Sequence, residues 1–125
     1  MKYLFVIILV LLSLRLHYYS PITNSSDALT IYNVRKELII QGLQHVDILI
    51  AQVRLETGNL KYVKGNNLFG FRTNKYLTFN TWKECIIYMK NWQLRKYKGG
   101  NYYTFLDSIR YAEDNAYTKK LKKFK

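Results

Sequence analysis

At 125 residues and 15.0 kDa the chain has room for one domain. It is 49% hydrophobic and 16% aromatic, enough to build a core, so an intrinsically disordered tail is excluded. The single cysteine, Cys85, excludes an internal disulfide framework. The only two histidines, His17 and His45, leave almost no basis for a zinc site or a Ser-His-Asp centre, and neither cofactor nor metal is expected.

The formal charge of +12 is unevenly spread. Lys2 and Arg15 flank the N-terminal apolar run, and Lys119, Lys120, Lys122, Lys123 and Lys125 crowd the other end. The other thirteen basic residues against eight acids leave only +5 for residues 18–118. Lys2 followed by Tyr3 to Leu14 has the length of a secretory h-region rather than of a spanning helix, which needs about 20 residues. Residues 1–17 are therefore read as a signal peptide or, uncut, as an N-terminal anchor. Either one directs the chain to the periplasm or cell envelope. Residues 18–27, with Pro21, Asn24, Ser25 and Ser26, read as a polar linker, and 28–125 as the domain.

Helical spacing of Leu29, Tyr32, Leu38, Ile39 and Leu43 predicts a first helix over 28–43, with Asp27 as its N-cap. A second helix is expected from His45 to Thr57, stopped by Gly58. Residues 59–79, carrying Gly65, Asn66, Asn67, Gly70 and Asn74, predict a loop with a short hairpin near Phe71 and Tyr76. Thr81-Trp82-Lys83-Glu84 is a capping box that opens a third helix to about Lys96. Gly99-Gly100 breaks the chain before a fourth helix over about 103–111, and Asp114 is expected to cap a fifth running to Leu121. The fold class is mainly α.

With eight acids, each can be weighed. Asp27, Glu84, Asp107 and Asp114 fit capping positions. Glu37 sits among Arg35 and Lys36. Asp47 shares a polar face with Arg54, and Glu113 stands at an exposed helix junction. Glu56 alone falls on or beside the apolar stripe of its helix, about 20° from Leu49 at 100° per residue. It also lies in the last turn, where the helix dipole is negative. Desolvation and dipole both disfavour the ionised form, as a general acid near neutral pH requires. Gln52, one turn earlier, is placed to hydrogen-bond its carboxyl.

Ala51-Gln52-Val53-Arg54-Leu55-Glu56-Thr57-Gly58 followed by Asn66-Asn67-Leu68-Phe69-Gly70-Phe71-Arg72 resembles the bacterial glucosaminidase domain in its short form, a lysozyme-like family of peptidoglycan hydrolases (glycoside hydrolase family seventy-three). Gln41-Gly42-Leu43, Phe79-Asn80-Thr81-Trp82-Lys83-Glu84-Cys85 and the closing Tyr111-Ala112-Glu113-Asp114 with Tyr117 and Leu121 extend the likeness over roughly 30–121.

The resemblance implies a monomeric, lysozyme-like helical domain with a short loop in place of the β-lobe. It also implies hydrolysis of the β-1,4 bond between N-acetylglucosamine and N-acetylmuramic acid in peptidoglycan strands. Glu56 takes the place of the family's acid. Asn67, Phe69 and Gly70 would form the floor of the sugar cleft, and Gln52, Tyr111 and Tyr117 complete the expected substrate-binding set.

Two departures stand out. No Asp or Glu occurs between Thr57 and Lys83, so the second carboxylate that many members carry on the β-lobe is missing. Its place could be taken by the substrate's own 2-acetamido group, and Glu84, the first acid after the loop, is the protein group to watch. The other departure is Arg110, where the family commonly has Gly. The rival reading is a non-catalytic module that binds cell-wall glycan. A nucleic-acid binder, suggested by twelve tyrosines among lysines, is disfavoured by the export segment.

Overall fold

A computed structural model describes residues 27–124. The expected signal or anchor (1–17), most of the linker (18–26) and Lys125 lie outside the described residues. Among the described residues five α-helices follow one another: α1 (Ile31–Ile40), α2 (Val46–Thr57), α3 (Trp82–Lys96), α4 (Tyr102–Ser108) and α5 (Tyr117–Leu121), closed by a 3-10 turn over Lys122–Phe124. No strand forms among the described residues, and the only pairing of β type is an isolated antiparallel bridge between Arg72 and Tyr76, where the short hairpin was expected. The architecture is the mainly helical one read from the sequence.

The central element is α2. It packs between α1 and α5, α3 backs onto α1, and α4 onto α5. Leu49, Ile50, Ala51 and Val53 of α2 are all buried. From α1 the core takes Val34 and Leu38, one turn apart and both fully buried, each worth about 1.5–3 kcal/mol. Tyr32 and Ile39, expected on the apolar stripe, are 74% and 60% exposed, because helix rotation is set by the Val34–Leu38 pair facing α2.

Most departures from the expected boundaries lie at helix starts. Thr30, not Asp27, caps α1, its Oγ1 accepting from Asn33 N at 3.1 Å. Asp27 is engaged elsewhere: its carbonyl accepts from Trp82 Nε1 at 3.0 Å and its carboxylate pairs with Lys83 at 2.6 Å. Thr81 caps α3 as expected, while the Glu84 carboxylate accepts from Asn80 N, one residue before the cap. Asn101 caps α4, which ends at Ser108 rather than Tyr111. Asp107 accepts from Thr118 Oγ1 at 3.1 Å and so ties α4 to α5. Asp114 precedes α5 without capping it. Its carboxylate accepts from Ala116 N and pairs with Lys120. Asp47 pairs with Arg35 of α1 at 2.6 Å, and Arg54 turns to Asn59 instead.

A candidate glycosidase cleft

Residues 58–81 carry no regular structure, yet hydrogen bonds hold them. Asn67 is buried, 1% exposed. Its Nδ2 donates to the carbonyls of Phe71 and Leu77 at 2.9 and 2.8 Å, and its Oδ1 accepts from Phe71 N at 3.0 Å. Asn66 donates to the carbonyls of Phe79 and Asn80, both at 3.0 Å. Leu68 and Phe69 insert fully into the core, and Leu68 N donates to Cys85 Sγ on α3 at 3.3 Å. Burial pushes that thiol up to about 12, so it serves as an acceptor and not as a nucleophile.

This packing delivers Gly70 to Glu56. Gly70 has φ +69°, and a Cβ added there would lie 2.5 Å from Glu56 Oε2. Only glycine allows that backbone to sit against the acid. Glu56 projects from the last turn of α2 into a cleft of about 510 Å³, shared with Gly70, Phe71, Arg72, Trp92 and Tyr111. Glu56 stays exposed to solvent as a residue, although protein surrounds part of its side chain. The surrounding protein raises its pKa above the ordinary carboxylate value, and a hydrogen bond with Tyr117 partly opposes the rise.

The expected site residues separate into layers. Glu56, Gly70 and Tyr111 line the cleft. Tyr111 anchors its hydroxyl to the Phe69 carbonyl at 2.7 Å, and burial holds its pKa well above the usual phenol range. Tyr117 lies behind, buried, its ring stacked on Tyr111 with centroids 5.5 Å apart. Gln52 is fully buried and donates to Tyr117 Oη at 3.3 Å. Instead of the expected direct bond to Glu56, a relay runs from Gln52 through Tyr117 to the acid. The opposite end of the amide, Oε1, has no hydrogen-bond partner among the described residues.

Asn67 and Phe69, expected at the cleft floor, sit beneath the cleft lining. The first is buried with both ends of its amide committed, the second is fully buried, and neither lines the cleft. They shape the site from underneath.

Glu84 is likewise displaced from the role to watch, because it sits at the start of α3 and does not line the cleft. Glu113 does. Trp92 and Lys96, one turn apart on α3, also line it. Their i, i+4 spacing marked a shared face in the sequence, but nothing there said what the face would meet.

A larger hollow, about 750 Å³, lies on the other side of α2 between Arg35, Asp47, Arg54 and Phe124. Its only carboxylate, Asp47, is already paired with Arg35, so it offers no free acid.

The family model for mannosyl-glycoprotein endo-beta-N-acetylglucosaminidase, the glucosaminidase domain, matches residues 32–124. The chain belongs to this family. No curated protein and no solved structure matches it. This glucosaminidase is therefore a glycoside hydrolase of the peptidoglycan-degrading kind, and its place of work is the cell envelope. The match takes in the α2 acid, the loop and the segment from Ile109 to Glu113 in one unit, as the cleft does.

Proposed function

We propose that the cleft hydrolyses the β-1,4 bond between N-acetylglucosamine and N-acetylmuramic acid with Glu56 as general acid. The observation that carries this reading is a carboxyl with a burial-raised pKa, set against the Gly70 backbone in the wall of a cleft sized for sugar rings. Glu56 gives its proton to the glycosidic oxygen as the C1–O bond breaks, and the aglycone leaves as an alcohol. The carboxylate so formed accepts from Tyr117. Trp92 and Tyr111 offer aromatic surface for sugar rings.

With no acid between Thr57 and Lys83, the 2-acetamido oxygen of the substrate attacks C1, and water then opens the cyclic intermediate. That route gives retention at the anomeric carbon. A second reading rests on Glu113, which lines the same cleft. As a base on the far face of the sugar it would activate water directly and give inversion. The apolar segment near the N-terminus serves as the export address, cut or kept as an anchor in the inner membrane, and the basic body suits a polyanionic wall.

The experiment is lysis of purified cell walls, with the product anomer followed by NMR. Glu56→Gln keeps the shape but has no acidic proton. It is expected to lower turnover by about 10³-fold or more with the fold retained. Near wild-type lysis by a folded Glu56→Gln protein removes Glu56 from the acid role, and an inverted product replaces the acetamido route with Glu113.

A further inference from the structure

We propose that the cleft contains a carboxylate-binding subsite in which Arg110, flanked by Lys96 and Arg72, holds an anionic group carried by the muramic acid unit. The proposal rests on the reading of the cleft as a glycan site and adds what the cleft selects.

All three cations line the cleft that holds Glu56. Elsewhere on the molecule Arg35, Lys83 and Lys120 are neutralised by Asp47, Asp27 and Asp114. In the cleft, none of the three cations forms an ion pair among the described residues, although Glu113 lines the same space. Arg110 and Lys96 make no side-chain hydrogen bond among those residues either, and Arg72 contributes only its guanidinium, 5.8 Å from the ring centroid of Tyr76. With Glu56 protonated for its task, the cleft presents three positive groups against one carboxylate.

The backbone at Arg110 gives a second, independent observation. Its φ is +49°, in the left-handed region that glycine adopts freely and a long side chain adopts at a cost. The bend it makes ends α4 and turns the chain into the cleft wall. Glycine or asparagine would make the same bend with less strain, and neither could put a guanidinium in the cleft. Strain of this kind persists where the side chain has work to do.

A planar guanidinium pairs two N–H groups with the two oxygens of a carboxylate, and an adjacent ammonium adds a point charge. A homopolymer of N-acetylglucosamine carries no such group. A muramic acid strand does, either as the lactyl ether carboxylate of bare strands or, where that carboxyl is amide-linked, as carboxylates of the attached peptide. The subsite therefore separates muramic acid strands from neutral glycan.

The test uses the Glu56→Gln protein, which binds without turnover, titrated calorimetrically with bare muramic acid strands, peptide-bearing strands and neutral N-acetylglucosamine oligomers. Adding Arg110→Gly is expected to weaken binding about tenfold to the strand whose carboxylate is recognised, with less than about twofold change on the neutral oligomer. Loss confined to bare strands identifies the lactyl carboxylate; loss confined to peptide-bearing strands identifies the peptide. Arg110→Lys should recover part of the loss, and Arg110→Asn, which also tolerates the left-handed bend, repeats the test if the glycine variant melts early. Equal weakening on all three ligands, or none on any, overturns the subsite. Failure of wild-type protein to cleave any wall would overturn the catalytic reading while leaving this titration intact.

Discussion

The two walls of the cleft are built on opposite terms. The wall from Gly65 to Phe79 is bonded inward: Asn66 and Asn67 spend their amides on backbone carbonyls, Leu68 and Phe69 are fully buried, and Cys85 takes the Leu68 amide. The wall from Ile109 to Glu113 is tied back through its backbone, with the Ile109, Arg110 and Tyr111 amides donating to Phe105, Asp107 and Leu106, and through the Tyr111 hydroxyl on the Phe69 carbonyl. Its charged side chains stay unpaired among the described residues. Arg110 bends in the left-handed region, and Glu113 is exposed without an ion pair or hydrogen bond among the described residues. Arg72 apart, the polar groups named in the first wall are consumed in making a rigid shape. Those of the second are left over for a ligand.

Removing the anchor of the rigid wall should have the largest effect on the fold. Asn67→Ala deletes three hydrogen bonds, two of them buried, and orphans the Phe71 amide and the Leu77 carbonyl, while the Phe71 carbonyl keeps the Leu77 amide. We expect a loss of about 3 kcal/mol, read from denaturant unfolding. A loss below about 1 kcal/mol would mean the loop is held by Leu68 and Phe69 alone, and that the contrast between the walls is one of burial rather than bonding.

Gly70→Ala tests the contact between that wall and the acid. The new methyl would meet Glu56 Oε2 at 2.5 Å in a backbone that already disfavours it. Displacing a catalytic group by about 1 Å costs about 10²-fold in rate, with a smaller cost in stability of about 1–2 kcal/mol. Wall lysis and thermal melting measured on the same protein separate the two effects, and unchanged lysis would show that Glu56 can swing clear.

Tyr117→Phe reaches the acid from behind. It removes the hydrogen bond that favours ionised Glu56 and leaves the Gln52 amide without its acceptor. The Glu56 pKa should rise further, so the alkaline limb of the activity profile moves to higher pH while the maximal rate falls about tenfold. A lower rate with an unmoved limb would make Tyr117 a packing residue for Tyr111, on which its ring is stacked.

These contacts also mark how far the sequence could be read. The α2 acid, its Gly58 stop and the capped start of α3 were legible because local spacing and capping chemistry determine them. The placement of Asn67 and Phe69 was not. A motif that reads as Asn-Asn-Leu-Phe-Gly gives no sign of whether its amide faces a sugar or three backbone groups. Nor could Asp27 be seen to serve Trp82 and Lys83, 55 and 56 residues away, rather than the helix beside it. Arg110 stood out as a departure, but its left-handed backbone was not legible, because α4 ends at Ser108 and not at the expected Tyr111.

The smallest effect expected is one of pH on stability, and its sign separates an acid placed for chemistry from one placed for structure. Burial raises the Glu56 pKa in the folded state above the value in the unfolded chain. The folded protein therefore binds this proton more tightly. The contribution is fully present below the ordinary carboxylate pKa and is lost as pH rises through the raised folded value. Above the raised folded value the ionised carboxylate is thus a burden on the fold, and Glu56→Gln, neutral at every pH, should there melt at a higher temperature than wild type. The gap should close on acidification, as wild type takes up its proton. The measurement is melting temperature against pH for the two proteins, with Glu113→Gln, exposed and without an ion pair among the described residues, as a control for general charge effects. A Glu56→Gln protein less stable than wild type on the alkaline side would mean that the ionised carboxylate supports the fold, through Tyr117, by more than burial costs. Glu56 would then belong with the inward-bonded wall, as a structural group rather than a poised acid.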